Sequence, residues 1–203
     1  MALSKIQAES MNLADTFAFT GTVSGVGGLR HTQTVTVTTA VAQVDIDNLS
    51  TDFDTFYISF DVHPATDNVG LLARFLDTSG NAMNSSTDYG VGVNYMDSAT
   101  NAVSSNGRAS MAFDSSEIGN DSYESIAGGF WLHNRNFTTA DTDKLPPSIW
   151  GIANTFNNNG NHNGFSFTGV LEEAQADAIR GMRFFFDSGN IDEATFHVYG
   201  YEK

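Results

Sequence analysis

The stretch Phe56-Tyr57-Ile58-Ser59-Phe60-Asp61-Val62 puts Phe56, Ile58, Phe60 and Val62 at every second position, with Tyr57, Ser59 and Asp61 between them. Successive side chains of an extended chain point to opposite sides, so this pattern gives a strand with one apolar and one polar face. The same period runs outward in both directions. Val35 and Val37 alternate with Thr34, Thr36 and Thr38, and Tyr89, Val91, Val93 and Tyr95 share a face opposite Gly90 and Gly92. Phe130 and Leu132 alternate with Gly129, Trp131 and His133. Phe165 and Phe167, then Met182, Phe184 and Phe186, then Phe196 and Val198 repeat the pattern. Clusters of Gly, Asn, Asp and Ser separate these runs. Many short half-buried strands between turn residues predict an all-β fold, an antiparallel two-sheet sandwich of jelly-roll type with a short N-terminal arm.

The composition agrees with that class. A compact domain of 203 residues buries about 70% of its unfolded surface, so a chain that is 40% hydrophobic needs no covalent staple. The sequence has no cysteine, which excludes disulfides, thiolate zinc sites and thiol nucleophiles. It has 24 acidic residues against nine basic ones, a formal net charge of −15, and such a field works against nucleic acid and anionic membranes. No run approaches the roughly 18 apolar residues of a membrane span, and the N-terminus has no basic stretch leading into an apolar one. The expectation is a protein made and kept in a cytoplasm until it is released, with no membrane insertion.

Two segments depart from the strand pattern. Residues 1–28 show weak periodicity and end in Gly21-Thr22-Val23-Ser24-Gly25-Val26-Gly27-Gly28, a flexible connector. They are expected to form an anchoring arm, with residues 29–203 as the sandwich domain; a frayed terminus is the commoner alternative. Glu172-Glu-Ala-Gln-Ala-Asp-Ala-Ile-Arg180 is rich in helix formers, acidic at its start and basic at its end, and predicts a short helix or turn. Asn154 to Asn163 reads as an Asn-rich loop.

A search for catalytic chemistry yields little. Glycan cleavage needs two carboxylates placed across a bond, but most acids here fall in turn contexts such as Asp45-Ile46-Asp47-Asn48 and Asp141-Thr142-Asp143. Asp45, Asp47 and Asp52 lack the Gly and the terminal Glu of a calcium loop. The histidines His31, His63, His133, His162 and His197 lie far apart, and no Gly-x-Ser-x-Gly elbow or phosphate-binding loop occurs. The chain is read as a non-enzyme with no metal and no cofactor. The candidate binding residues are Trp131 and His133, opposite Phe130 and Leu132, together with Trp150 in Ile149-Trp150-Gly151-Ile152. Exposed Trp beside polar loops suits a sugar-binding surface. The alternative is packing beneath a loop or in a subunit interface, and both readings stay open.

The C-terminal run Gly181-Met182-Arg183-Phe184-Phe185-Phe186-Asp187-Ser188-Gly189-Asn190-Ile191, closing in Thr195-Phe196-His197-Val198-Tyr199-Gly200, resembles the closing segment of many tailed-phage virion proteins. Phe53-Asp54-Thr55-Phe56-Tyr57-Ile58 is similar to an internal strand of the same group, and Leu3 to Ala14 is similar to openings of marine phage structural proteins. The resemblance brings no catalytic residues. It implies an exterior virion component, a tail-fibre-like appendage or a capsid decoration, assembled in the host cytoplasm and bound to other capsid or tail proteins. It also implies a homo-oligomer, in particular a homotrimer. The chain lacks the extended repetitive shaft of a long fibre, so a short appendage fits better. A carbohydrate-binding module that recognises a host surface glycan is the alternative.

Overall fold

The alternating runs become strands of two antiparallel sheets in the structure, a computed structural model that describes residues 28–95, 102–113, 118–134, 146–172 and 179–201. In chain order these are β1 (Leu29–Val37), β2 (Val44–Ile46), β3 (Thr55–Pro64), β4 (Leu71–Leu76), β5 (Tyr89–Tyr95) and β6 (Ala102–Arg108). There follow β7 (Met111–Ala112), β8 (Ile126–His133), β9 (Ser148–Phe156), β10 (His162–Leu171), β11 (Gly181–Phe186) and β12 (Ile191–Tyr201). The large sheet has the order β1-β12-β3-β8-β9-β10-β5-β6 and the small one β2-β11-β4-β7. Setting aside the hairpins β5–β6 and β9–β10 leaves β1-β12-β3-β8 against β2-β11-β4-β7. Along those eight strands the chain changes sheet at every step except from β4 to β7, which pair within the small sheet, and this is the jelly-roll path expected from the sequence. Both hairpins join the large sheet beyond β8 and widen it past its partner.

The inward faces are those read from the alternation. Phe56, Ile58, Phe60, Phe184, Phe186, Phe196 and Val198 are all buried in one core. At its centre the Phe113 ring lies 4.5 Å from Phe167, 5.6 Å from Phe130, 5.7 Å from Phe60 and 5.9 Å from Phe184. Sheets pack closely only where one surface recedes, and Gly169 of β10 is such a place: the Met111 side chain occupies the space a Cβ would need. Tyr89 is buried with its hydroxyl donating to the Met83 carbonyl (3.0 Å) and accepting from the Phe75 amide (2.8 Å). Burial pushes its ionisation far above the ordinary tyrosine value, so it stays neutral.

The small sheet carries ion pairs on its outer side, and one sequence reading is corrected there. Asp45 lies in β2, not in a turn, opposite Arg183 of β11, which donates two bonds to it at 2.7 Å. Asp47 follows β2 and is forked in the same way by Arg180, at 2.6 and 2.7 Å. The sequence shows these acids close together but hides arginines more than 130 residues away. The hydrogen bond from Arg180 is the main reason the Asp47 carboxyl titrates below its usual range.

The Asn-rich tract is also shorter as a loop than expected. Asn154 and Asn163 lie within β9 and β10, and only residues 157–161 form the hairpin tip. There Asn157 Oδ1 accepts from the amides of Asn159 and Asn161, with Gly160 at φ 70°. Asp77 does the same with Ser79 and Asn81, with Gly80 at φ 85°, so the two loops share one Asx-turn geometry. The expected arm, up to Gly27, and residues 173–178 of the expected helix lie outside the described residues; no helix occurs among the described ones.

Two outcomes follow from this packing. Phe113→Ala should lower unfolding free energy by about 3–5 kcal/mol in a urea titration, against about 0.5 kcal/mol or less for Ile152→Ala on the outer face. Asp47→Asn should destabilise the protein at neutral pH. Its deficit should shrink as pH falls through the depressed Asp47 pKa, because the parent then protonates the same carboxyl and loses the same stabilisation; melting temperatures of both proteins from pH 7 downward check this.

Candidate functional site

Residues directly opposite one another on neighbouring strands project from the same side of a sheet. On the outer face of the large sheet the register sets His31 of β1 opposite Tyr199 of β12, and Tyr199 opposite Tyr57 of β3. Tyr57 is in turn opposite Trp131 of β8, and Trp131 opposite Trp150 of β9. The result is a row of rings crossing five strands. Ring centroids along it are 5.4, 6.5, 5.2 and 6.3 Å apart from His31 to Trp150. Trp131 and Trp150 are nearly parallel, at 24°, while Tyr57 and Trp131 are tilted by 56°. Tyr201 closes on Trp131 edge-on at 6.5 Å.

Gly129 makes the row possible. Tyr57 leans along the sheet over Gly129 of the adjacent strand, and a Cβ there would collide with the Tyr57 hydroxyl and ring. The bare backbone lets the phenol lie down, an arrangement in which an aromatic ring covers a strand glycine. The row then continues into open surface. Trp150 is 59% exposed, and Ile152 and Phe156, the next outward residues of β9 apart from Asn154, are 58% and 43% exposed.

Polar groups flank the rings on the same face. His31 Nε2 lies 2.9 Å from Thr34 Oγ1, which lies 3.1 Å from His197 Nδ1. Further along the strands, Thr36 is opposite Thr195, and Thr195 opposite Asp61. These side chains, with Thr38 and Glu193, line a shallow open depression of about 300 Å³.

The structure therefore brings Trp131 and Trp150 into direct contact and leaves His133 apart from the ring row. His133 shares the outer face two residues further along β8, where its Nδ1 lies 3.4 Å from Thr55 Oγ1. Sequence reading missed Tyr57, Tyr199 and His31. Tyr57 and Tyr199 sit at outward positions of alternating strands, a visible signal, but their adjacency depends on long-range register. Among the described residues no three His, Asp or Glu side chains gather as a metal-binding group. The arrangement offers stacking surfaces and hydrogen-bonding groups on a rigid sheet. No protein-family model matches the chain, and no curated protein or solved structure matches it either.

The stacked indoles provide a direct optical test. Trp131 and Trp150 should give an exciton couplet in the far-ultraviolet circular dichroism that Trp131→Phe and Trp150→Phe each abolish. Gly129→Ala should displace Tyr57 and change Trp131 fluorescence while the domain stays folded.

Proposed function

We propose that this chain is a non-enzymatic exterior component of a tailed-phage virion, a short fibre-like appendage or capsid decoration. Its arm, residues 1–28, docks on another virion protein, and its sandwich is presented outward as one unit of a homotrimer. The observation that carries a contact role is the aromatic outer face of the large sheet, with Trp150, Ile152 and Phe156 exposed on one strand. Contiguous exposed apolar surface marks an interaction site more often than a folding need. The resemblance to virion proteins adds support, and two of its pieces lie together in space. Gly181 to Tyr201 spans β11 and β12, while Phe53 to Ile58 leads into β3, the neighbour of β12. Assembly takes place in the host cytoplasm, and the net charge of −15 turns the protein away from nucleic acid and anionic lipid.

A second reading, a carbohydrate-binding module for host recognition, is favoured by one observation: the near-parallel Trp131–Trp150 pair on the open face. The two readings are compatible, since linked copies of a weak site gain avidity on a particle.

Deleting residues 1–28 should leave a folded, soluble domain that no longer enters particles; loss of folding would make the arm part of the core. Light scattering of the full chain should give three times the 21.9 kDa chain mass, and a monomer at micromolar concentration would count against the trimer.

A further inference from the structure

We propose that the ring row binds a single extended chain of uncharged pyranoses, laid across the strands from Trp150 to His31. The inference rests on the host-recognition reading and specifies its ligand. The first argument is repeat length. Neighbouring rings are 5.2 to 6.5 Å apart because they stand on successive strands, which are spaced by about 4.7–4.9 Å. One sugar of an extended β-1,4-linked chain covers a similar length, so successive sugars meet successive rings. Each pyranose has an apolar C–H face suited to an aromatic ring and a rim of hydroxyls. Hydroxyl partners flank the rings on the same face, in Thr34 and His197.

The second argument is charge. The chain carries −15, and Asp61 and Glu193 line the depression beside the row. A uronic or sulfated glycan would meet a repelling field there, whereas a neutral chain meets acceptors for its hydroxyls. The third argument is shape. Ring planes differ by 24°, 56°, 39° and 66° from pair to pair, so the row is an uneven strip and not a flat slab. A free chain can rotate about its linkages to follow such a strip; the face of a crystalline polysaccharide cannot.

Isothermal calorimetry on the full chain with soluble cello- and chito-oligosaccharides tests this. Binding should tighten from the disaccharide to the pentasaccharide, as more rings are engaged. Trp150→Ala at one end of the row and Tyr199→Ala beside the His31 end should each weaken the longest ligand about tenfold with melting temperature retained. Tyr123→Ala, at an exposed position away from the row, should leave binding unchanged. Should Tyr199→Ala unfold the domain, Tyr199→Leu reports the same end. Affinity that stops rising at the disaccharide, or retention on crystalline cellulose, overturns the extended single-chain geometry. Binding of oligogalacturonate in preference to the neutral ligands overturns the charge argument and leaves host recognition standing. Binding of no glycan by the folded protein overturns both. If Trp150→Ala instead reduces a glycan-blind oligomer to monomers, the row is an interface between copies and this proposal fails.

Discussion

Phe113 stands just past β7, a strand of two residues, and its ring is wedged between the layers. Phe60, Phe130 and Phe167 approach it from the large sheet and Phe184 from the small one. So short a strand has few ladder bonds to hold it, which leaves burial of Met111 and Phe113 as the main restraint, helped by the Phe113 amide donating to the Leu71 carbonyl at 3.0 Å. The consequence extends beyond the core. Met111 seated on Gly169 fixes β10 against the small sheet, and β10 pairs with β9. On its other side β9 pairs with β8, whose Phe130 belongs to the same cluster. Trp150 is thus placed opposite Trp131 by packing on the far side of the sheet.

β9 also reverses the usual distribution of bulk. Its inward residues include Gly151 and Ala153, while Trp150, Ile152 and Phe156 point to solvent. The small inward set has a local cause: a Cβ on Gly151 would run into Phe130 and the Gly129 carbonyl. The large outward set has no such cause. Apolar surface left in water forgoes about 25 cal/mol per Å² of stabilisation, and folding recovers none of it at these positions. A contact made after folding can. That difference separates the outer face of β9 from the Thr-rich outer face of β1, and it directs the functional reading to the row.

The strands legible in the sequence are those with one buried and one solvated side, such as Phe56 to Val62, where burial of every second residue left a plain trace. β9 was not legible as a strand because both of its faces carry apolar residues and the alternation vanishes. β2 was hidden differently: its Asp45 looked like a turn acid, and the Arg183 that explains it comes from the far end of the chain. The same reason limited the site. Trp131 and Trp150 could be singled out as residues, but the step from two tryptophans to five rings depends on β12 returning between β1 and β3. Local pattern fixes which face a side chain takes; the jelly-roll crossings fix its neighbours. β9, one of the strands not read from the sequence, carries the most exposed ring of the row, as expected where a sequence serves something besides its own core.

The crossings also orient the row relative to the proposed anchor. The proposed arm would join the sandwich at Gly28, beside Leu29, which pairs with Tyr201. His31, the first ring of the row, is therefore three residues from that junction. Trp150 lies four strand spacings further across the sheet, about 20 Å away. An arm fixed to a particle would hold the His31 end near the junction and leave the Trp150 end projecting. The row is open at both ends, at His31 and Trp150, and half-buried between them at Tyr199, Tyr57 and Trp131. Arg180 and Arg183 are meanwhile committed to Asp47 and Asp45 on the outer side of the small sheet. The small sheet thus presents paired ions and the large sheet rings and hydroxyls, so the two outer faces of one sandwich are chemically distinct. A domain tethered at one corner can turn the aromatic face outward without exposing an unpaired cation from either of these arginines.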